Sequence, residues 1–248
     1  MIDLTGKVAV VTGSGKGIGE AIARKLAEVG ATVVVADIDA ALANETASSI
    51  ESAGGKAVAV QVDVADEGSV RRMVDTVKAR LGGIDILVNN AGVMSRAALE
   101  DTSLEEWNRV LTVNLTGMFL CIKAVTAVMK ETGGYIVNMA SMSARTGGQA
   151  SPVSYASSKT GVIGLTKATA RVLGRYNIRV NAVCPGIIDT EMIAHMDQAT
   201  RQWWIDQTPL RRLGTIDDVA KVVLFLSSDL ADYVTGATVD INGGYAMY

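Results

Sequence analysis

Two short runs of this sequence carry side chains that could do chemistry at their spacing. Tyr155-Ala156-Ser157-Ser158-Lys159 sets a phenol and an ammonium four residues apart, and on a helix such side chains share one face. A tyrosine at its ordinary pKa of about 10 is a poor base at neutral pH, but an adjacent cation favours the phenolate. The pair reads as a proton-transfer unit; an amphipathic surface pair is the plain alternative. The other run is Thr12-Gly13-Ser14-Gly15-Lys16-Gly17-Ile18-Gly19. Glycines here permit a tight turn and let the backbone approach a pyrophosphate, held by the exposed N–H groups at the start of a helix. The spacing is Gly-x-x-x-Gly-x-Gly rather than the commoner Gly-x-Gly-x-x-Gly, so a turn that merely needs glycine is the competing reading.

Asp37 closes the next apolar run, where a carboxylate would accept hydrogen bonds from an adenosine ribose and repel a 2′-phosphate. It could instead cap a helix, a task that Asp39 could equally perform. Lys16 in the glycine loop could meet a phosphate, but no arginine follows Asp37 to complete such a site. Together these residues predict a dinucleotide cofactor, NAD in preference to NADP.

The elements that must position these groups follow from the hydrophobic pattern. Lys7–Thr12, Thr32–Asp37, Ala57–Val62, Ile86–Asn89, Tyr135–Ala140, Arg179–Val183 and Thr238–Ile241 are Val-, Ile- or Ala-rich without polar alternation, as in parallel strands covered on both faces. Ile18–Val29, Ala40–Ala53, Ser69–Leu81, Leu104–Lys130, Ser154–Arg175 and Ile216–Ser228 carry apolar residues at helical spacing. Alternation of the two predicts an α/β fold, a doubly wound (Rossmann) parallel sheet of about seven strands with helices on both faces. No linker or repeat interrupts residues 1–248, which read as one dinucleotide-binding and catalytic domain. The irregular stretch, about 186–214, holds Met192, His195, Met196, Trp203 and Trp204. An insertion after a strand is where such sheets bind ligands, so it reads as an apolar substrate lid, with core or subunit packing as the alternative.

Over essentially its whole length the chain resembles the classical short-chain dehydrogenases/reductases. Besides Thr12–Gly19 and Tyr155-x-x-x-Lys159, it has Asp63 after the third strand and Asn89-Asn90-Ala91-Gly92 after the fourth. It also has Asn114 in the long helix, Ser141 after the fifth strand, and Pro185-Gly186 with Thr190 after the sixth. The resemblance implies that Tyr155 is the general acid/base, that Ser141 polarises the substrate oxygen, and that Lys159 binds the nicotinamide ribose and lowers the tyrosine pKa. It implies that Asn114 holds a water in a proton relay. Asp63 and Val64 would meet the adenine, Asn90, Ala91 and Gly92 would wall the cofactor, and Ile188 and Thr190 would bracket the nicotinamide. Ser141 lies one residue further from Tyr155 than the commonest family spacing, so Ser143 competes for the serine role; the Gly147-Gly148 loop could absorb the insertion.

The implied reaction moves a hydride between nicotinamide and a secondary alcohol or ketone, such as a sugar, polyol or other small carbonyl compound. A 3-oxoacyl-(acyl carrier protein) reductase is the alternative, although it normally wants NADPH. A non-catalytic NAD-binding scaffold is a third reading, disfavoured because Ser141, Tyr155 and Lys159 are all present. The formal charge of −3 carries no footprint for nucleic acid. Runs such as Val8–Val11, Val33–Ala36 and Val222–Leu226 are far short of a membrane span, and the start of the chain lacks a secretory pattern, so the expectation is a cytoplasmic protein. Cys121 and Cys184 read as buried, inert thiols, and the single histidine, His195, as unable to anchor a zinc site. Leu120, Ile122, Val125, Val128, Val162, Ile163 and Leu165 give two helices more than one apolar face, which predicts burial against symmetry mates; the family resemblance implies that the assembly is a homotetramer.

Overall fold

A computed structural model describes residues 2–95, 97–148, 152–194 and 196–247; His195 and the side chain of Met192 lie outside the described parts. Seven parallel strands form one sheet in the order β3-β2-β1-β4-β5-β6-β7. They are β1 Val8–Thr12, β2 Thr32–Asp37, β3 Lys56–Gln61, β4 Ile86–Asn89, β5 Gly134–Met139, β6 Ile178–Pro185 and β7 Thr238–Ile241. β2, β4 and β7 match the sequence reading residue for residue, and the others differ by one or two at an end. The strand order reverses between β1 and β4. A crevice therefore opens at their carboxyl ends, the place where such sheets take ligands.

Successive strand residues face opposite layers. Ala9, Val11, Val33 and Val35 pack with Ile22 and Leu26 of α1 (Gly17–Glu28), residues of α2 (Ala40–Ser52), and Val219 and Val223 of α9 (Ile216–Leu226). Val10, Val34 and Leu87 pack on the other side with Val74 of α3 (Glu67–Leu81) and with Ile122 and Val125 of α5 (Gly117–Met129). Several helix starts are set by a side chain that satisfies orphan N–H groups. Asp39 does so for α2, Asp66 for α3, and Ser103 for α4 (Leu104–Leu111). Thr215 and Asp218 form a reciprocal capping box on α9.

The helix expected over Leu104–Lys130 is interrupted. Between α4 and α5, Thr112–Thr116 forms a π turn with the fully buried Asn114 inside it. Residues 104–129 together are long and apolar enough to cross a membrane. Here Val110, Met118, Cys121, Ile122, Val125 and Met129 are buried in the fold, which accounts for that composition.

The stretch 186–214 is more regular than its sequence suggests. It contains a single 3₁₀ turn, Glu191–Ile193, and the helix α8, Gln198–Gln207, capped by Asp197. After β5 comes the one-turn helix α6, Ser143–Thr146, which hydrophobic periodicity could not reveal; it leads towards α7, Val153–Leu173.

Candidate active site

α7 carries Tyr155 and Lys159 on one face, and β5 ends just before Ser141. The Ser141 side chain bears on the Tyr155 phenol and favours its charged form. Ser143, the competing serine, is buried in α6 and donates its backbone N–H to Ser141 Oγ at 3.1 Å. The Lys159 ammonium lies 5.7 Å from the centre of the Tyr155 ring and donates to the Met139 carbonyl at 2.7 Å.

Burial works against both charged forms. It pushes the Tyr155 phenol above its ordinary range, partly offset by the Ser141 side chain, and it pushes Lys159 down to about 8. The dominant influence on the phenol is desolvation. The Cys184 thiol feels the Ser141 backbone and the Arg145 side chain; burial holds it up at about 11 and that of Cys121 at about 12.

Asn114 does not present a free amide. Its Oδ1 accepts from Val93 N–H at 2.8 Å, and its Nδ2 donates to the Val93 carbonyl at 2.9 Å and to Ser158 Oγ at 3.1 Å. Ser158 Oγ in turn donates to the Tyr155 carbonyl at 2.7 Å. Gly92 belongs to the same cluster: a Cβ there would lie 3.3 Å from Asn114 Oδ1 and 3.4 Å from Lys159 Nζ, so glycine lets the β4 loop lie against both. Ser158 was not singled out in the sequence, although its place inside Tyr-x-x-x-Lys was a signal to hand.

The glycine loop fits a dinucleotide. α1 begins at Gly17 with no side-chain cap, in contrast to α2, α3 and α4, so its first N–H groups are left for an anion. A Cβ on Gly19 would collide with the Gly13 carbonyl, and one on Gly13 would stand 2.7 Å from Ala91 Cα. Asn90 Nδ2 binds the Thr12 and Gly13 carbonyls at 3.0 and 2.8 Å, and Thr12 Oγ1 accepts from the Asn90 and Ala91 N–H groups. Asn90 thus ties the loop to β4. Ser14 Oγ is also internal, donating to the Val11 carbonyl and accepting from Ala36 N–H, and the Ser14 N–H donates to the Ala36 carbonyl at 3.3 Å, so Ser14 ties the loop to β2.

Asp37 accepts from Gly15 N–H at 2.8 Å, and the cap of α2 is Asp39. Asp37 Oδ1 also accepts from the Asp39 N–H at 3.1 Å, so it serves both the glycine loop and the backbone just ahead of α2. Lys16, which could have met a 2′-phosphate, is paired with Glu191 at 2.9 Å. Asp63 Oδ1 accepts from Ala65 N–H, and Val64 is buried against Gly117. Pro185 ends β6, Gly186 N–H binds the Ile241 carbonyl, Ile188 is buried and bridges to Gly214, and Thr190 is partly exposed.

Trp204 is buried edge-on to Trp203 and close to Tyr245, while Trp203 is half exposed. A cavity of about 290 Å³ lies behind α8, walled by Met142, Ile187, Trp204, Asp240 and Tyr245 among others. Neither Ser141 nor Tyr155 lines it.

Comparison with known proteins agrees with this fold. Residues 13–246 match a family model described as enoyl-(acyl carrier protein) reductase. The chain is 42% identical over 245 residues to the 3-oxoacyl-(acyl carrier protein) reductase of Aquifex aeolicus, covering 98% of each chain. It is 41% identical over 241 residues to the cis-4-hydroxycyclohexanecarboxylate dehydrogenase of Sinomonas cyclohexanicum, covering 96% of each. A crystal structure of a gluconate 5-dehydrogenase from Burkholderia cenocepacia, in complex with NADP and tartrate, superposes with a TM-score of 0.94 at 36% identity. The match covers 98% of this chain and 96% of that one.

Proposed function

The chain belongs to the short-chain dehydrogenase/reductase family, and from that premise we propose a dehydrogenase that prefers NAD(H) and takes a secondary alcohol or its ketone. It is an NAD(P)-dependent oxidoreductase acting on CH–OH donors. The proposed substrate is a sugar, polyol or other small carbonyl compound. The observation that carries the catalytic assignment is the meeting of three groups at one place: Lys159 Nζ lies 5.7 Å from the centre of the Tyr155 ring, and the Ser141 side chain bears on the same phenol.

A bound nicotinamide supplies the hydride acceptor or donor. Tyr155 Oη takes the proton from the alcohol oxygen, or returns it to the ketone oxygen, and Ser141 Oγ donates to that same oxygen as charge builds there. Lys159 holds the nicotinamide ribose and opposes the cost of a buried phenolate. Asn114 keeps Val93 and α7 in register around the relay. The pyrophosphate would rest on the backbone of Gly13, Ser14, Gly15, Gly17, Ile18 and Gly19, with Asp63, Val64, Asn90, Ala91 and Gly92 bordering it. Pro185, Gly186, Ile188 and Thr190 would border the ring. Residues 1–248 act as one domain, with 186–214 as its lid. We place the protein in the cytoplasm, a reading supported by two free cysteines, with neither nucleic acid nor a membrane as partner.

Asp37 supports the preference for NAD. A 2′-phosphate would bring a second anion to within a few ångströms of it, and unit charges about 4 Å apart interact by roughly 4 kcal/mol near a protein surface. Lys16 is engaged by Glu191 and less available to offset that. The expected discrimination is about one to three orders of magnitude. Measuring kcat/KM for NAD⁺ and NADP⁺ on one good alcohol, in the parent and in Asp37→Ser, tests it: a parent that prefers NADP⁺, or an unchanged ratio in the variant, removes Asp37 as the selector. The second reading, a 3-oxoacyl-(acyl carrier protein) reductase, is favoured by the identity to the Aquifex aeolicus enzyme. A substrate panel of polyols, sugars, simple secondary alcohols and a 3-oxoacyl thioester separates the two.

A further inference from the structure

The loop that carries Ser141 is held at a place remote in sequence. α6 is a single turn of four residues, ended by Gly147 in the left-handed region, and a turn that short does not stand by itself. Arg145, its third residue, reaches across the end of β6 to β7. Its Nε and Nη2 take the two carboxylate oxygens of Asp240 at 3.1 and 3.3 Å, and Nη2 also donates to the Thr238 carbonyl at 3.2 Å. Both side chains are about three-quarters buried, with exposures of 24% and 23%. A two-pronged guanidinium–carboxylate contact fixes orientation as well as distance.

That contact bears on Ser141 through two routes. Asp240 stands opposite Cys184 in the β6–β7 register, and the Cys184 thiol feels both the Arg145 side chain and the Ser141 backbone. The turn that Arg145 anchors also supplies the Ser143 N–H to Ser141 Oγ at 3.1 Å. A serine hydroxyl has one proton to donate. With an N–H already directed at its oxygen, that proton is turned outward, towards a substrate oxygen in the reaction.

We propose that Arg145, clamped by Asp240, is a positioning residue for Ser141: it fixes the α6 turn that aims the serine hydroxyl at the substrate oxygen. The proposal rests on the reading of Ser141 given above. Thr160 Oγ1 donates to the Ala144 carbonyl at 3.4 Å, a longer contact that leaves the guanidinium as the stronger tie of this turn.

The experiment is a double-mutant cycle between Arg145→Met and Ser141→Ala, read as kcat for alcohol oxidation beside NADH affinity by fluorescence. Misplacing a reacting group by about 1 Å can cost about a hundredfold. Arg145→Met is therefore expected to lower kcat about ten- to a hundredfold, to leave NADH affinity within about twofold, and to cost nothing further in the Ser141→Ala background, where no hydroxyl remains to aim. A kcat within about twofold of the parent, or an equal loss in both serine backgrounds, overturns the proposal. If the methionine variant does not bind NADH, Asp240→Asn is judged by the same criteria, because it keeps the shape and one acceptor. Failure of the underlying site reading would look different: Ser141→Ala alone would then leave kcat intact.

Discussion

At the scale of the residue, the site is built around two ionisable groups, Lys159 buried and Tyr155 partly buried, whose charged forms desolvation disfavours. Tyr155 is pushed up by desolvation, so its work as a base depends on what fills the cleft beside it. Tyr155→Phe should lower turnover about 10²–10⁴-fold while NADH binding stays close to the parent's; residual activity within about tenfold of the parent would remove it from proton transfer. Lys159 titrates near 8 in the fold against its usual 10.5. Between those values the unfolded chain binds more protons than the folded one, so stability rises with pH across that window. Affinity for an anionic dinucleotide moves the other way, because the ammonium charge disappears as pH rises through about 8. The NADH Kd should weaken about three- to tenfold from pH 7 to pH 9, and Lys159→Met should bind weakly with no such slope. A parent Kd that is flat over that range would contradict the assignment.

At the scale of the element, two neighbouring carboxylates were interchangeable in sequence and are divided in the fold. Asp39 accepts from Ala41 and Leu42 at the start of α2, whereas Asp37 faces the glycine loop. Asp39→Ala should therefore cost about 1 kcal/mol of stability and leave the NAD⁺/NADP⁺ ratio alone, and Asp37→Ser should do the converse. Thermal unfolding together with the cofactor ratio measures both; a shifted ratio in the Asp39 variant would mean that α2 rather than Asp37 sets the preference. The π turn at Thr112–Thr116 is the other element-scale feature. Apolar periodicity made 104–130 one helix because an extra residue in one turn barely disturbs the pattern. What places Asn114 there is its set of bonds to Val93 and Ser158, residues 21 and 44 positions away.

At the scale of the whole molecule, the apolar residues that suggested assembly are mostly accounted for within the chain. Ile122, Val125 and Val162 are buried in its core, and Leu120, Val128, Ile163 and Leu165 are partly covered. Phe119 on α5 and Val172 on α7 remain exposed, at 46% and 57%. These two helices are still the faces through which we expect a homotetramer to form. Sedimentation at micromolar concentration should give four copies, and Phe119→Asp combined with Val172→Asp should yield smaller species; monomers in the parent would refute the assembly.

The amino-acid sequence by itself determined the alternation of strand and helix, the parallel sheet, the glycine loop, and the Tyr155/Lys159 pair. Each of these rests on local information: side-chain type, a period of two or 3.6, or a spacing of four. The partners across the fold were decided only by tertiary structure. Lys16 with Glu191 and Arg145 with Asp240 join residues 175 and 95 positions apart, and no periodicity links such pairs. The direction of the Tyr155 shift was decided there too, because a pKa follows the density of neighbours and the nearest charges, which a linear spacing does not contain. Between Ser141 and Ser143, spacing left both in contention. In the fold Ser143 is buried in α6 with its N–H on Ser141 Oγ, a placement that supports Ser141 in the serine role.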